Sequence, residues 1–289
     1  MKKVLFALAL TLLTLTWARA QHGMSCCTKP ASPDATEATT RFAMLGNDPA
    51  FREKHENPLP FTLQDKTGEM VTYQTPDGKT GMAYEIKAPR QTENYVFVIH
   101  EWWGLNDYIK REAERLAKEL GNVNVLALDL YDGKVATERE QASSYMQQVT
   151  NDRARAIING AITYAGEDAD IATIGWCFGG GWSLQTAIMA GDKAEAAVVY
   201  YGMPERDPER LQKLEAPVLG IFAEQDNSIT PEIVRDFEQK MEEAGKEVTI
   251  KMYDAVHAFA NPSNPRYNKE YAEEAHQLAV DFIRKHLMD

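Results

Sequence analysis

The stretch around Cys177 combines residue types that suit nucleophilic chemistry. Residues 174–181 read IGWCFGGG, between an apolar run that predicts a strand and a stretch that predicts a helix. In such a turn, small residues on both sides let the nucleophile adopt a strained backbone conformation. The N-terminus of the following helix favours a thiolate over a free thiol, whose pKa is about 8.5. We therefore predict that Cys177 is a nucleophile and that the backbone N–H of Phe178 donates to a developing oxyanion.

Two other roles are open to this turn. A free cysteine is often just a small buried side chain, here in a glycine-rich packing turn. Glycine-rich turns also bind phosphate, but a dinucleotide fingerprint belongs to the first strand–helix turn of a sheet, and this turn comes late in the chain. We favour the nucleophile over both.

An acid and a histidine follow Cys177 in the order that a hydrolytic triad on a doubly wound sheet requires. Asp226 lies on a loop just after the predicted strand 217–223, and His257 lies on a loop before the final predicted helix. We expect His257 to act as general base and then acid, oriented by Asp226. The alternatives are an Asx turn at Asp226, Glu224 as the acid, and a structural core histidine at His257.

A second turn, at residues 98–106, follows the first long buried strand and reads VIHEWWGLN. In this position the backbone supplies the other oxyanion donor, here the N–H of Trp102. The carboxylate of Glu101 beside it would repel a developing negative charge, and a residue with a local cost is a candidate for function. The side chains of Trp102 and Trp103 suit either the core or a pocket wall.

The other histidines and cysteines suggest no further site. His22, His55 and His276 have no comparable placement, and His100 belongs to the second turn. Cys26 and Cys27 are adjacent in an N-terminal tail, and an odd cysteine count leaves one thiol unpaired in an oxidising compartment. We expect no metal ion and no cofactor.

Short apolar runs alternate with amphipathic stretches from Glu69 onward, after a segment with little periodicity. This alternation predicts an α/β fold with a mostly parallel central sheet, helices on both faces and an antiparallel leading hairpin. The hairpin is expected at 69–75 and 80–87, strands at 95–100, 123–128, 171–176, 195–200, 217–223 and 247–253, and helices near 107–120, 137–150, 152–166, 179–191, 231–244 and 267–287.

These residues together resemble the dienelactone hydrolase family of α/β-hydrolases, from about residue 69 to the C-terminus. The likeness rests on residues 100–104 (HEWWG), 129–131 (DLY), 175–180 (GWCFGG), 200–202 (YYG), Asp226 with Pro231, and 257–259 (HAF). The resemblance implies the α/β-hydrolase fold and a triad of Cys177, His257 and Asp226. It also implies that Glu101 contacts the resting thiol and takes part in activating it.

The resemblance is less complete for the substrate. The family includes hydrolases of dienelactone, whose carboxylate is bound by arginines. Arg139 matches one of them, but Asn261 stands where the second is expected. Arg139 could equally form surface ion pairs with Glu138 or Glu140. We take Arg139, Trp103 and Asn261 as candidate substrate-binding residues for a small ester or lactone.

The N-terminus predicts export. Lys2 and Lys3 precede an apolar run that ends in Ala-Arg-Ala at 18–20, as in a cleaved signal peptide, with a retained anchor as the alternative. We expect a signal peptide at 1–20, a flexible or loosely structured extension at 21–65, and the hydrolase domain at 66–289. The mature formal charge of −15 argues against nucleic acid and anionic membranes as partners. The expected location is the periplasm or the medium.

The sequence therefore predicts an exported hydrolase that cleaves a small ester or lactone through a thioester on Cys177. A thiol-based redox or sensor protein is one alternative, although a redox thiol needs no ordered base. A binding protein that retains the fold without catalysis is another.

Overall fold

The computed structural model describes residues 37–288. The predicted signal peptide, Cys26 and Cys27 lie outside the described residues. Within the described part of the chain, no helix is both long and apolar enough to cross a membrane.

Eight strands form one sheet in the order β1-β2-β4-β3-β5-β6-β7-β8. Strands β1 and β2 pair antiparallel, β2 also pairs antiparallel with β4, and every pair from β4 to β8 is parallel. The predicted mostly parallel sheet with an antiparallel leading hairpin is confirmed. The strands are β1 (Glu69–Gln74), β2 (Thr80–Ile86), β3 (Asn94–Ile99), β4 (Asn124–Leu128), β5 (Asp170–Trp176), β6 (Ala194–Tyr200), β7 (Val218–Ala223) and β8 (Val248–Tyr253).

Nine helices surround this sheet in the described chain. They are α1 (Glu37–Leu45), α2 (Pro49–Glu53), α3 (Asp107–Leu120), α4 (Arg139–Gln148), α5 (Asn151–Ala165), α6 (Phe178–Ala190), α7 (Pro208–Leu211), α8 (Pro231–Glu243) and α9 (Lys269–Leu287). Helix α3 packs on α9, and α5 packs on α6. Because the strand order reverses after β3, right-handed crossovers place these two pairs on opposite faces of the sheet.

Local sequence explains where the helices near the later strand ends begin. The side chain of Asn106 caps α3 by accepting from the backbone N–H groups of Tyr108 and Ile109. Thr230 caps α8 by accepting from the N–H of Ile233, and Pro231 occupies the first turn, where its missing N–H costs nothing. The helices therefore begin at fixed points just beyond the carboxyl ends of β3 and β7, which holds the intervening loops in place.

Residues 37–63, here called the N-terminal segment, pack on the sheet domain. Helix α1 contacts α6 and α4, and Phe42 and Phe51 are fully buried. Ser143 of α4 donates its hydroxyl to the carbonyl of Gly46 at 2.6 Å. Further on, the N–H of Leu59 donates to the carbonyl of Ser263. The segment therefore crosses from α4 towards the loop after β8, along the carboxyl ends of the strands.

Candidate active site

Cys177 lies at the turn between β5 and α6 in a strained conformation. Its φ of 56° and ψ of −115° place a non-glycine residue in the left-handed half of backbone space. A Cβ on Gly175 would meet the carbonyl oxygen of Gly179 at 2.1 Å, and a Cβ on Gly179 would meet that of Ile99 at 2.2 Å. Only glycine fits at both positions, which accounts for the G-x-C-x-G spacing.

The structure brings Asp226 and His257 to this thiol in a line. His257 Nε2 lies 3.4 Å from Cys177 Sγ, and His257 Nδ1 lies 2.5 Å from Asp226 Oδ2. The second oxygen of Asp226 accepts from the N–H groups of Ser228 and Ile229 at 2.8 and 3.1 Å. Although burial opposes it, His257 holds the pKa of Asp226 below its ordinary value. An ionised Asp226 requires the proton on Nδ1, which leaves Nε2 free to accept the thiol proton.

Two backbone N–H groups point to the sulfur. Burial and the nearby charge of Glu101 raise the pKa of Cys177 well above its ordinary value, while the N–H groups of Phe178 and Trp102 act in the opposite direction. These are the two predicted oxyanion donors. The resting thiol is therefore protonated, and it lies beside donors suited to a negative charge.

The turn that carries Trp102 is held by His100. The Nδ1 of His100 lies 2.6 Å from the carbonyl of Glu101, and its Nε2 accepts from the N–H of Leu130 at 3.1 Å. A carbonyl only accepts, so His100 is the neutral tautomer with its proton on Nδ1. His100 therefore positions the turn and offers no group to a substrate.

Glu101 is buried and makes its hydrogen bonds away from the thiol. Its Oε1 accepts from the hydroxyl of Tyr201 at 3.3 Å and its Oε2 accepts from the side-chain amide of Asn261. The oxygen of Asn261 accepts from the N–H and hydroxyl of Ser263, so its amide nitrogen must face Glu101. Burial raises the pKa of Glu101 to about 8, and Tyr201 partly offsets this effect. Its influence on Cys177 is electrostatic in this state.

A cavity of about 390 Å³ adjoins the Glu101–Asn261 pair. Trp176, which precedes Cys177, is part of its wall, and Arg111, Arg115 and Lys269 supply cations there. The cavity is lined by neither Cys177 nor His257. Glu101 thus borders this space and also acts electrostatically on Cys177.

Two other candidate substrate-binding residues do not line this cavity. The Nε of Arg139 lies 3.7 Å from Glu140 Oε1, and the side chain is partly exposed at the start of α4. Trp103 is buried against Trp102, with ring centroids 5.0 Å apart. Arg139 thus makes the surface pair that was its alternative role, and Trp103 belongs to the core beside the site.

His55 enters the site, although its sequence position suggested no such placement. Its Nε2 lies 3.9 Å from Cys177 Sγ, and its ring centroid is 5.2 Å from that of His257. Phe51, four residues earlier, packs against Trp102 and His257. Cys177 itself is 1 % exposed. The expectation that His55 lies apart from the site is wrong, because the turn that follows α2 places its ring beside the thiol.

His55 is held in one orientation. Its Nδ1 lies 2.8 Å from the carbonyl of Phe51, so Nδ1 carries the proton and the Nε2 lone pair faces the thiol. Burial, with a smaller contribution from His257, lowers the pKa of His55 to about 3. The ring is therefore neutral. The signal in the sequence was weak: His55 lies four residues after Phe51, just beyond the end of α2 at Glu53.

Comparison with known proteins identifies the fold and the family. The profile of the Dienelactone hydrolase family matches residues 81–287. The Protein usf of Aquifex pyrophilus is 30% identical over 233 residues, which cover 76% of this chain and 99% of that protein. The Carboxymethylenebutenolidase of Pseudomonas sp. strain P51 is 26% identical, with 72% of this chain and 91% of that protein covered.

Solved structures agree on the fold. A putative dienelactone hydrolase from Klebsiella pneumoniae superposes with a TM-score of 0.64 at 23% identity, over 75% of this chain and 99% of that one. The family match begins at residue 81, so the N-terminal segment with His55 lies outside it. Matched over most of its length, this chain belongs to the dienelactone hydrolase family.

Proposed function

We propose that this protein hydrolyses a small ester or lactone through a covalent thioester on Cys177. The observation that carries the proposal is the line of three groups from Asp226 through His257 to the sulfur. Asp226 Oδ2 lies 2.5 Å from His257 Nδ1, and His257 Nε2 lies 3.4 Å from the sulfur. A general base within reach of a nucleophile, itself oriented by a buried carboxylate, is the arrangement of acyl-transfer enzymes.

Acylation proceeds with His257 as base. Its Nε2 takes the thiol proton, the sulfur attacks the carbonyl carbon, and the carbonyl oxygen becomes an oxyanion held by the N–H groups of Trp102 and Phe178. As the C–O bond breaks, the protonated His257 gives its proton to the departing alkoxide. The product is a thioester on Cys177, and in a lactone the alcohol stays attached to the acyl group.

Deacylation reverses these roles. His257 removes a proton from water, and the hydroxide attacks the thioester carbon. The C–S bond breaks, the proton on His257 returns to the sulfur, and the acid leaves. His257 makes every proton transfer, and the two backbone N–H groups only donate hydrogen bonds to the oxyanion.

The cavity beside Glu101 is the space we assign to the substrate. Its volume of about 390 Å³ fits a small molecule. Entry to the sulfur requires Glu101 and Asn261 to move. Above about pH 8, where Glu101 is ionised, its shift would also remove the charge that raises the pKa of Cys177. Substrate binding would therefore activate the thiol, which extends the activating role that the family resemblance implies for Glu101.

The test is hydrolysis of p-nitrophenyl acetate and of paired enol-lactones with and without a carboxylate. We expect turnover of the neutral compounds, since Asn261 replaces a carboxylate-binding arginine. A strict requirement for the carboxylate would overturn this choice of substrate, and no hydrolysis of any compound would overturn the proposed function.

We also propose export of the mature chain from residue 21 onward. The basic start, apolar run and Ala-Arg-Ala sequence at 18–20 support it. Fractionation of cells that express the full chain, followed by N-terminal sequencing, should find a protein that begins at Gln21 outside the cytoplasm. Recovery of an intact Met1 in the cytoplasm would contradict export.

A further inference from the structure

His55 has no part in the hydrolytic mechanism, yet it is buried with its free lone pair towards the nucleophile. A triad needs one histidine, and His257 supplies it. One ring nitrogen of His55, one ring nitrogen of His257 and the sulfur of Cys177 all lie within 4.8 Å of one another. Among residues 37–288, these three side chains form a cluster of potential metal ligands. All three side chains are buried. We propose that Cys177, His257 and His55 bind a zinc ion.

The distances suit a tetrahedral zinc site after small movements. Zinc lies about 2.3 Å from a thiolate and about 2.0–2.1 Å from an imidazole nitrogen, so its ligand atoms are about 3.3–3.6 Å apart. The sulfur lies 3.4 Å from His257 Nε2 and 3.9 Å from His55 Nε2. Drawing the three atoms together requires shifts of no more than about 1.5 Å.

Both histidines already have the outer partners of metal ligands. A metal-bound histidine donates its other ring N–H to a carboxylate or a backbone carbonyl, which fixes the tautomer. The Nδ1 of His257 faces Asp226, and the Nδ1 of His55 faces the carbonyl of Phe51. In each ring the Nε2 lone pair therefore remains for a cation, and no tautomer has to change.

The charges around the sulfur also favour a cation. The buried carboxylate of Asp226, hydrogen-bonded to His257, places negative potential on Cys177. A divalent ion would displace the thiol proton to solvent, and two neutral imidazoles with one thiolate make a soft donor set that zinc accepts. Three protein ligands leave a fourth position for water or a small anion.

Zinc bound in this way would stop hydrolysis, because the sulfur and the His257 lone pair would both be occupied. This consequence rests on the proposed function, whereas metal binding itself does not. Removal of zinc by a chelator restores the thiol without any change in oxidation state. The site therefore makes the enzyme reversibly sensitive to zinc, and His55, from outside the family match, is the residue that completes it.

The experiment uses the full chain with Cys26→Ser and Cys27→Ser, so that Cys177 is its single thiol. Co²⁺ is titrated under reducing conditions, and Zn²⁺ then displaces it. We expect one Co²⁺ per chain with a thiolate-to-metal charge-transfer band, no such band in Cys177→Ser, and at least about 100-fold weaker binding in His55→Gln. The matched control His286→Gln, a histidine on α9, should bind as the parent does.

If His55→Gln fails to fold, NMR of the parent protein tests the same site. Nitrogen-detected histidine spectra should show that zinc shifts Nε2 of both His55 and His257. An unshifted His55, an unchanged affinity in folded His55→Gln, or absence of the band would each overturn the zinc site. Binding without hydrolysis in the metal-free protein would instead overturn the proposed function alone.

Discussion

Residues 69–287 and the N-terminal segment both place side chains around Cys177, by different means. In the sheet domain, Cys177, Asp226 and His257 each follow the carboxyl end of a parallel strand, so the sheet alone brings them together. In the N-terminal segment, Phe51 and His55 reach the site only because short helices lie across those strand ends. The first arrangement lies within the residues that match the family, and the second lies outside them.

The difference extends to how each region is held. The sheet domain is fixed by eight paired strands and a continuous core. The segment is fixed by two buried phenylalanines and a few hydrogen bonds, among them Ser143 to Gly46. Elements with few buried contacts open at lower free energy than the core. The residues of the proposed triad therefore lie in the more rigid region, and the segment that covers them is the more easily opened one.

The largest effect is expected from the nucleophile. Cys177→Ala should lower kcat for p-nitrophenyl acetate by about 10⁴-fold or more, since no thioester can form. The double variant Cys26→Ser/Cys27→Ser is the control and should keep its activity. An activity in Cys177→Ala close to that of the parent would place the chemistry elsewhere.

The acid comes next. Asp226→Asn should lower kcat by about 10³- to 10⁴-fold, because the amide no longer holds the proton on His257 Nδ1. Glu224→Gln is matched to it on the same loop, where Glu224 is exposed, and should change kcat less than about twofold. Equal losses in the two variants would contradict the assignment of Asp226.

Loosening the segment should expose the thiol. Phe51→Ala removes a fully buried ring and should destabilise the docked segment by about 3–5 kcal/mol. Alkylation of Cys177 should therefore become more than about 100-fold faster. Phe61→Ala, at a partly exposed position further along, is the control and should have little effect. Mass mapping after iodoacetamide treatment measures both rates. Equal rates in parent and Phe51→Ala would show that the segment does not cover the site.

Acid should open the same segment. The pKa of His55 is about 3 when the segment is docked and about 6.5 when it is open, so the open form binds protons more readily. The docked state therefore has its full stability above pH 6.5. Below that pH, the ratio of docked to open molecules falls by up to about tenfold per pH unit. Hydrogen exchange at residues 49–57, corrected for intrinsic rates, should show this, and His55→Gln should abolish it. A pH-independent opening in the parent would contradict it.

The smallest effect concerns His276, a buried histidine with the opposite environment. Although burial opposes it, Glu112 and Glu119 raise its pKa above the ordinary value. Its stabilisation is present below pH 6.5 and is lost as the pH rises through the raised pKa. We expect the free energy of unfolding to fall by about 1 kcal/mol or less as the pH rises, which lowers Tm by a few degrees. His276→Gln should not show this fall. The same dependence on pH in that variant would exclude His276 as its source.

The sheet domain could be predicted from the sequence better than the N-terminal segment could. The predicted strands and helices from Glu69 onward agree with the structure within a few residues, because apolar runs and caps such as Asn106 are local signals; the four-residue α7 has no predicted counterpart. The triad could be located because strand ends on one edge of a sheet are neighbours.

The placement of His55 could not be predicted in this way. It depends on how a short helix without strand neighbours docks on a surface formed by residues far away in the sequence. No local pattern within residues 37–63 predicts which surface that is. Arg139 shows the reverse problem: its match to the family is local, but its side chain pairs with Glu140. Asn261 contributes by its hydrogen bond to Glu101, which depends on the loop after His257.

The central claim is that Cys177 carries the acyl group during turnover. Acid quenching of the enzyme during its reaction with p-nitrophenyl acetate, followed by digestion and mass spectrometry, tests it directly. The account predicts one acetyl group, on the peptide that contains Cys177, and none in Cys177→Ala. An acetyl group on another residue, with turnover retained in Cys177→Ala, would contradict it.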